Sequence, residues 1–243
     1  MARTALCFLR GDRQPVAEIA TVAHAHGALF HCDAVQAAGK IPLDGPVIGA
    51  DLVTLSAHKV GGPPGVGALL SRAGLDLVPL LHGGRQERGR RAGTENLSGI
   101  VGFAAAAAAA AGEILVYDRV RELRDALEVE ILAVAPEAVV LGNAAPRLPN
   151  TMAIAMPGTA AETQVIALDL DGVMVSAGAA CSSGKVGPSH VLKAMGLAPD
   201  IATTTIRVSL GWATTERDVS RFLQSWTALY RRRRGSAEKA RAA

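Results

Sequence analysis

Residues 50–69 read ADLVTLSAHKVGGPPGVGAL, and this stretch decides the fold. Asp51–Leu55 is a short apolar run and Gly67–Leu70 is another, each with strand length and turn residues at its ends. Between them Gly61–Gly65 reads GGPPG, which is loop: proline removes a backbone donor and glycine gives up too much chain entropy. Upstream, Ala28–Cys32 is a third apolar run. Before it, Pro15–Gly27 reads as a short helix, with proline at an early turn, Val16, Ile19, Ala20 and Ala23 at helical spacing, and glycine at the end. Helix, strand, connection and strand make an α/β layer. In open parallel sheets ligands gather at the carboxyl ends of strands. Here those ends carry Asp33 after the first strand and Ser56, His58 and Lys59 after the second.

Lys59 stands between His58 and the glycine-proline loop. In that place it reads either as a partly desolvated amine able to attack carbonyls or as an ordinary turn lysine. The loop does not match the phosphate-cradling Walker pattern, because the lysine precedes the glycines and no Lys-Ser/Thr pair follows them. Asp33 alone reads equally well as a turn aspartate. The set is more informative than its members. Asp33, Gln36 three residues on, and Ser56, His58 and Lys59 at the next strand end suit one cofactor, pyridoxal 5'-phosphate. That group needs an amine for its aldehyde, a carboxylate for its pyridinium nitrogen, a donor to its phenolic oxygen and donors to its phosphate.

Farther along, His82–Glu95 is rich in Gly and Arg and reads as loop. Asn96–Val134 is Ala- and Leu-rich with charges spaced for exposed faces, which predicts long helix broken near Gly112. Beyond that break the pattern predicts strands near Val139–Leu141 and Thr151–Met156, a helix over Glu162–Leu170 and a small-residue loop over Ser176–Gly187. A helix over Ser189–Met195, a strand over Thr205–Ser209 and a helix from Glu216 to about Tyr230 follow. After Tyr230 the composition predicts a solvated basic tail.

The 243 residues suffice for one large or two modest cores, and a hydrophobic fraction of 49% argues against disorder. The core must be aliphatic, since aromatics make up 3%. The alanine run Ala104–Ala111 is too short for a membrane span, and Met1–Arg10 lacks a signal-peptide core, so the expected location is the cytoplasm. The formal charge of +3 comes largely from Arg231–Arg234 and the residues after them, which leaves no footprint for nucleic acid on the body of the chain. Cys7, Cys32 and Cys181 are an odd, widely spaced set that suggests neither a disulfide framework nor a zinc site. No metal is expected. Taken alone, Cys181 reads either as a small buried residue or as a reactive thiol.

Four blocks carry a resemblance: HCDAVQAAGK (His31–Lys40), ADLVTLSAHKVGGPPGVGAL (Ala50–Leu69), HGGRQERGRRAGTEN (His82–Asn96) and SAGAACSSG (Ser176–Gly184). In this order they resemble the NifS/IscS-type cysteine desulfurases of the class V aminotransferase family, fold type I of the pyridoxal-phosphate enzymes. The resemblance spans nearly all of Pro15–Tyr230 and lacks the family's N-terminal half. It implies an α/β fold with a truncated large domain of mostly parallel sheet (1–114), a smaller α+β C-terminal domain (115–230) and a disordered basic tail (231–243).

It also implies roles. Lys59 would hold the cofactor covalently and later move the substrate Cα proton, while Asp33 would pair with the pyridinium nitrogen. Gln36 would bond the phenolic oxygen, and Ser56 and His58 the phosphate. Thr94 would complete the phosphate site of a partner copy, which implies a homodimer. Arg207 would take the α-carboxylate of L-cysteine. Cys181 would receive the sulfur as a persulfide, releasing alanine, for a sulfur-acceptor protein such as an iron-sulfur scaffold. Cys7 and Cys32 match no catalytic position. A catalytically inactive remnant and a related class V enzyme such as a selenocysteine lyase stay open as alternatives.

Overall fold

The computed structural model describes residues 2–4, 13–44, 49–177 and 190–242. They form two compact units, one built around Gln14–Leu115 and the other around Val116–Ala243.

The first unit carries a four-stranded sheet of β1 (Ala2–Thr4), β2 (His31–Asp33), β3 (Leu52–Ser56) and β4 (Gly67–Ser71), in that order. The β1–β2 and β2–β3 pairs are parallel and the β3–β4 pair is antiparallel. Helix α1 (Val16–Ala25) enters at Pro15 and is followed by Gly27, whose φ of +67° is the left-handed conformation that stops a helix. The first apolar run becomes a strand only at His31, so Asp33 is the last residue of β2 rather than the residue after it. Asp51 explains how β2 and β3 are fixed side by side. Its carboxylate, 1% exposed, accepts the Phe30 N–H at 2.8 Å and bonds His24 Nε2 at 2.9 Å, while Arg72 Nε lies 3.2 Å away. One side chain thus ties α1, the start of β2 and the residue after β4 to the start of β3.

The predicted break in the long helical stretch is present: three residues separate the end of α2 (Leu97–Gly112) from the start of α3 (Val116–Val134). Asn96 caps α2 by accepting the Gly99 N–H on its Oδ1 at 3.1 Å. Small residues let α2 lie against the GGPPG loop: a Cβ at Gly102 would stand 3.0 Å from the Pro63 ring, and one at Gly62 3.3 Å from Ala106 Cβ.

The second unit holds an antiparallel sheet of β5 (Val139–Leu141), β6 (Thr151–Ala155), β7 (Ser176–Ala177) and β8 (Thr205–Ser209), in the order β5-β6-β8-β7. Its helices are α3, α4 (Ala161–Leu170), α5 (His190–Ala194), α6 (Pro199–Thr204) and α7 (Glu216–Ala242). Leu127 and Ile131 of α3, Met152 and Ile154 of β6, Leu168 of α4, Ile206 of β8 and Trp226 of α7 form one buried cluster. Each such side chain contributes about 2 kcal/mol of transfer free energy.

Ala2–Thr4 forms β1 where no strand was predicted, Ser176–Ala177 pairs with β8 as β7 where a loop was predicted, and two further expectations change. Pro199–Thr204 is helical where the sequence pattern announced nothing, because its single turn is too short to show a period. The segment expected as a disordered tail continues α7. Tyr230 explains the continuation: its hydroxyl donates to Glu137 Oε1 at 2.6 Å and accepts from Arg234 Nη1 at 3.1 Å, so the next turn is fastened to the core. The residues beyond it, mostly Arg, Ala, Glu and Lys, are good helix formers.

Candidate active site

The parallel pairing of β2 and β3 sets Asp33 opposite Thr54, two residues before Ser56 at the carboxyl end of the neighbouring strand. Asp33 is half-buried, and its Oδ1 accepts the Val35 N–H at 3.0 Å, which starts the chain turning as it leaves the sheet. The Ala34 N–H donates to Thr54 O at 3.1 Å, and the N–H groups of Ala37 and Ala38 both reach Ala34 O. Gln36 lies half-buried within this turn.

At the end of β3 the chain forms a single 3-10 turn, Ala57–Lys59. Buried Ala57 anchors it: its N–H donates to Val66 O at 3.1 Å, and its carbonyl takes the N–H groups of both Val60 and Gly62. His58 and Lys59 therefore project outward and are exposed. Ser56 Oγ and His58 Nδ1 are 2.9 Å apart, which orients the imidazole and leaves its Nε2 for another partner. Of the two readings of Lys59 from sequence, its exposure matches the turn lysine rather than the partly desolvated amine.

Asp33, Gln36, Ser56, His58 and Lys59 thus gather at the carboxyl ends of two adjacent parallel strands. Thr94 belongs to the same unit but sits exposed on the loop before α2. Arg207 belongs to the second unit, on β8 opposite Ser176, and its Nη2 donates to Ser176 Oγ at 3.2 Å. Cys181 and Cys7 lie outside the described residues. Cys32 is 1% exposed, and burial, reinforced by the Asp33 charge, pushes its thiol up to about 11, as befits a packing residue. His82 is exposed. Among the described residues no group of three or more His, Cys, Asp or Glu side chains is arranged to hold a metal ion.

Sequence reasoning assigned no task to Lys40, although it quoted the residue. Lys40 is 9% exposed, and its Nζ donates to Gln36 O at 3.0 Å. The signal for it was the glycine before it, which permits a tight turn and so folds the lysine back onto the Gln36 segment.

The sequence profile described as aminotransferase class-V matches residues 4–222. The chain belongs to that family. It is 50% identical over 210 residues to a cysteine desulfurase of Cereibacter sphaeroides, covering 86% of this chain and 54% of that protein. It is 45% identical over 205 residues to one of Enterobacter agglomerans, covering 84% and 51%. A solved NifS-like protein from Rickettsia africae superposes with a TM-score of 0.86 at 35% identity, covering 94% of this chain and 61% of that one. The chain is thus a cysteine desulfurase/NifS-like homologue that spans about half the length of the curated relatives it matches.

The family depends on pyridoxal 5'-phosphate. The donor set fits that group: a half-buried carboxylate on β2, a hydroxyl and an oriented imidazole on β3, and an accessible amine beside them.

Proposed function

We propose that this chain serves a cysteine desulfurase reaction, converting L-cysteine to L-alanine and leaving the sulfur on Cys181. The observation that carries this reading is the placement of Asp33 and of Ser56, His58 and Lys59 at the ends of neighbouring parallel strands. When bound, pyridoxal 5'-phosphate supplies an electron sink for charge developing at the substrate Cα.

Asp33, whose Oδ1 accepts the Val35 N–H, would hold the pyridinium nitrogen of the cofactor and keep it protonated. Ser56 and His58, already bonded to one another, present a hydroxyl and an imidazole to the phosphate. Lys59 Nζ binds the cofactor and takes the Cα proton as general base. Arg207, whose Nη2 donates to Ser176 Oγ, would take the substrate α-carboxylate, a planar match for a fork of donors.

The Cys181 thiolate attacks the substrate sulfur. A sulfur–sulfur bond forms, the carbon–sulfur bond breaks with its electron pair left on the carbon skeleton, and Cβ takes a proton to become the methyl of alanine. The persulfide then passes to a sulfur-acceptor protein such as an iron-sulfur scaffold. Thr94 acts across a homodimer at the partner copy's phosphate site, and the setting is the cytoplasm.

The test is the near-visible absorption spectrum of the chain with added pyridoxal 5'-phosphate, with Lys59→Ala as control. A band present in the wild type and lost in Lys59→Ala supports the reading; a wild type without the band overturns it. Alanine release from L-cysteine then falls at least about 100-fold in Cys181→Ala, as expected for loss of a nucleophile. Arg207→Ala raises KM by roughly 30-fold, the loss of a charge-assisted pair.

A further inference from the structure

Lys40 is a buried amine to which the proposed reaction gives no task. It closes the turn after β2, with its backbone N–H on Ala37 O at 3.0 Å and its Nζ on Gln36 O at 3.0 Å, and it is 9% exposed. A lysine held this way gives up most of its hydration, and Gln36 O is the acceptor that its Nζ meets among the described residues. The residue before it brings two turns together. Gly39 has φ +70°, and a Cβ there would stand 2.9 Å from Ala110 Cβ and 3.3 Å from Val60 Cγ1. Val60 directly follows Lys59, so the turn bearing Gln36 and Lys40 packs against the turn bearing the cofactor lysine.

The ionisable groups around Lys40 are few. Among the described residues its own turn carries Asp33, already engaged by Val35 N–H, and the facing turn carries His58 and Lys59. Helix α2, which meets Gly39 through Ala110, has no ionisable residue. Burial first, then the Lys59 charge, lower the Lys40 amine to about 8.

We infer that Lys40 is a positioning residue of the cofactor site, fixing the turn that presents Gln36 and setting a second positive charge against Lys59. This rests on the proposed function for the meaning of Gln36 and Lys59, but the coupling of the two amines is a property of the chain itself. The Lys59 charge is one of the two causes that lower the Lys40 amine, so its removal raises Lys40 while the turn stays closed.

The experiment is pH-resolved reductive methylation of the full chain without cofactor, read residue by residue by mass spectrometry. It is joined by amide hydrogen exchange over residues 34–41. Lys40 reaches half-labelling near pH 8 in the wild type, and in Lys59→Ala its midpoint rises by about one pH unit, as for removal of a nearby like charge. Lys40→Met accelerates exchange in the turn by about tenfold, whereas Lys40→Arg, which keeps charge and donor, stays near the wild type. A Lys40 midpoint unmoved in Lys59→Ala overturns the inference, and so does unchanged exchange in Lys40→Met. If Lys40→Met fails to fold, the Lys59→Ala labelling decides alone. Neither readout needs pyridoxal 5'-phosphate, so a missing Lys59-dependent absorption band defeats the proposed function separately.

Discussion

In the unit built around Val116–Ala243, Trp226, Leu127, Ile131, Met152, Ile154 and Ile206 are each less than 2% exposed and touch one another in a single cluster. Among the described residues of the unit built around Gln14–Leu115, Phe30 is the one that ranks with the largest fully buried side chains, and the other buried apolar residues are Ala20, Cys32, Ala34, Ala37, Ala38, Val53 and Ala57. That unit also leaves Leu69, Leu70, Leu80, Leu97 and Val101 exposed. The unit that carries Asp33 and Lys59 is therefore held less by apolar volume than by polar pins such as Asp51 and by close approaches at glycine. A large side chain should matter most in the second unit, and a single polar group most in the first.

Trp226→Ala is the strongest way to break that contrast. Its ring is fully buried and stacks on Tyr230 with centroids 5.9 Å apart, so truncation leaves a cavity costing about 4 kcal/mol. Urea unfolding followed by hydrogen exchange should show the loss across β6 and β8. If protection there stays at the wild-type level, the second unit does not depend on its central cluster.

Asp51→Ala probes the first unit. Removing the carboxylate orphans the Phe30 N–H and unties His24 and Arg72, at a cost of about 2–3 kcal/mol. Exchange across β2 and β3 reports it. The same residue sets an acid limb. The Phe30 N–H bond, followed by the His24 bond and the Arg72 charge, outweighs burial and lowers the Asp51 carboxyl below its ordinary value. A lowered folded value means the stabilisation is full above the unfolded carboxyl's value of about 3.9 and fades as pH falls through the folded one. Asp51→Asn, which keeps an acceptor but cannot titrate, should flatten the loss of β2–β3 protection as pH falls below about 4. An acid limb as steep as in the wild type would assign it to other carboxylates.

Apart from β1 and β7, which are two or three residues long and too short to show alternation, the strands, the broken long helix and the clustering of polar residues at two strand ends were legible because each depends on local pattern: alternation, spacing and turn residues. The blocks around Asp33 and Lys59 gave the candidate site its order along the chain. What escaped depends on contacts between distant segments. The hold of Asp51 on Phe30, His24 and Arg72 joins residues far apart in sequence, and the burial of Lys40 follows from Gly39 meeting Ala110 and Val60. The continuation of α7 beyond Tyr230 escaped for the same reason, since its fastening partner is Glu137. Composition alone could not separate a solvated arginine run from a helix whose first turn is pinned.

Two helix caps give the smallest expected effect and sharpen the contrast furthest. Asn96 starts α2 by accepting the Gly99 N–H. Thr215 starts α7 in a reciprocal arrangement, its Oγ1 accepting the Asp218 N–H at 3.3 Å while the Asp218 carboxylate takes the Thr215 N–H at 2.9 Å. Asn96→Ala and Thr215→Ala each remove about 1 kcal/mol locally. Helix α7 places Phe222, Trp226 and Leu229 in the core, so loosening its start should lower the urea midpoint of the whole second unit. Helix α2 buries only Gly99, and its alanines sustain a helix by propensity, so loosening its start should appear as faster exchange in its first turns with the β2–β3 protection unchanged. Equal responses from the two variants, both global or both confined to the first turns, would mean that the units are not held together in different ways.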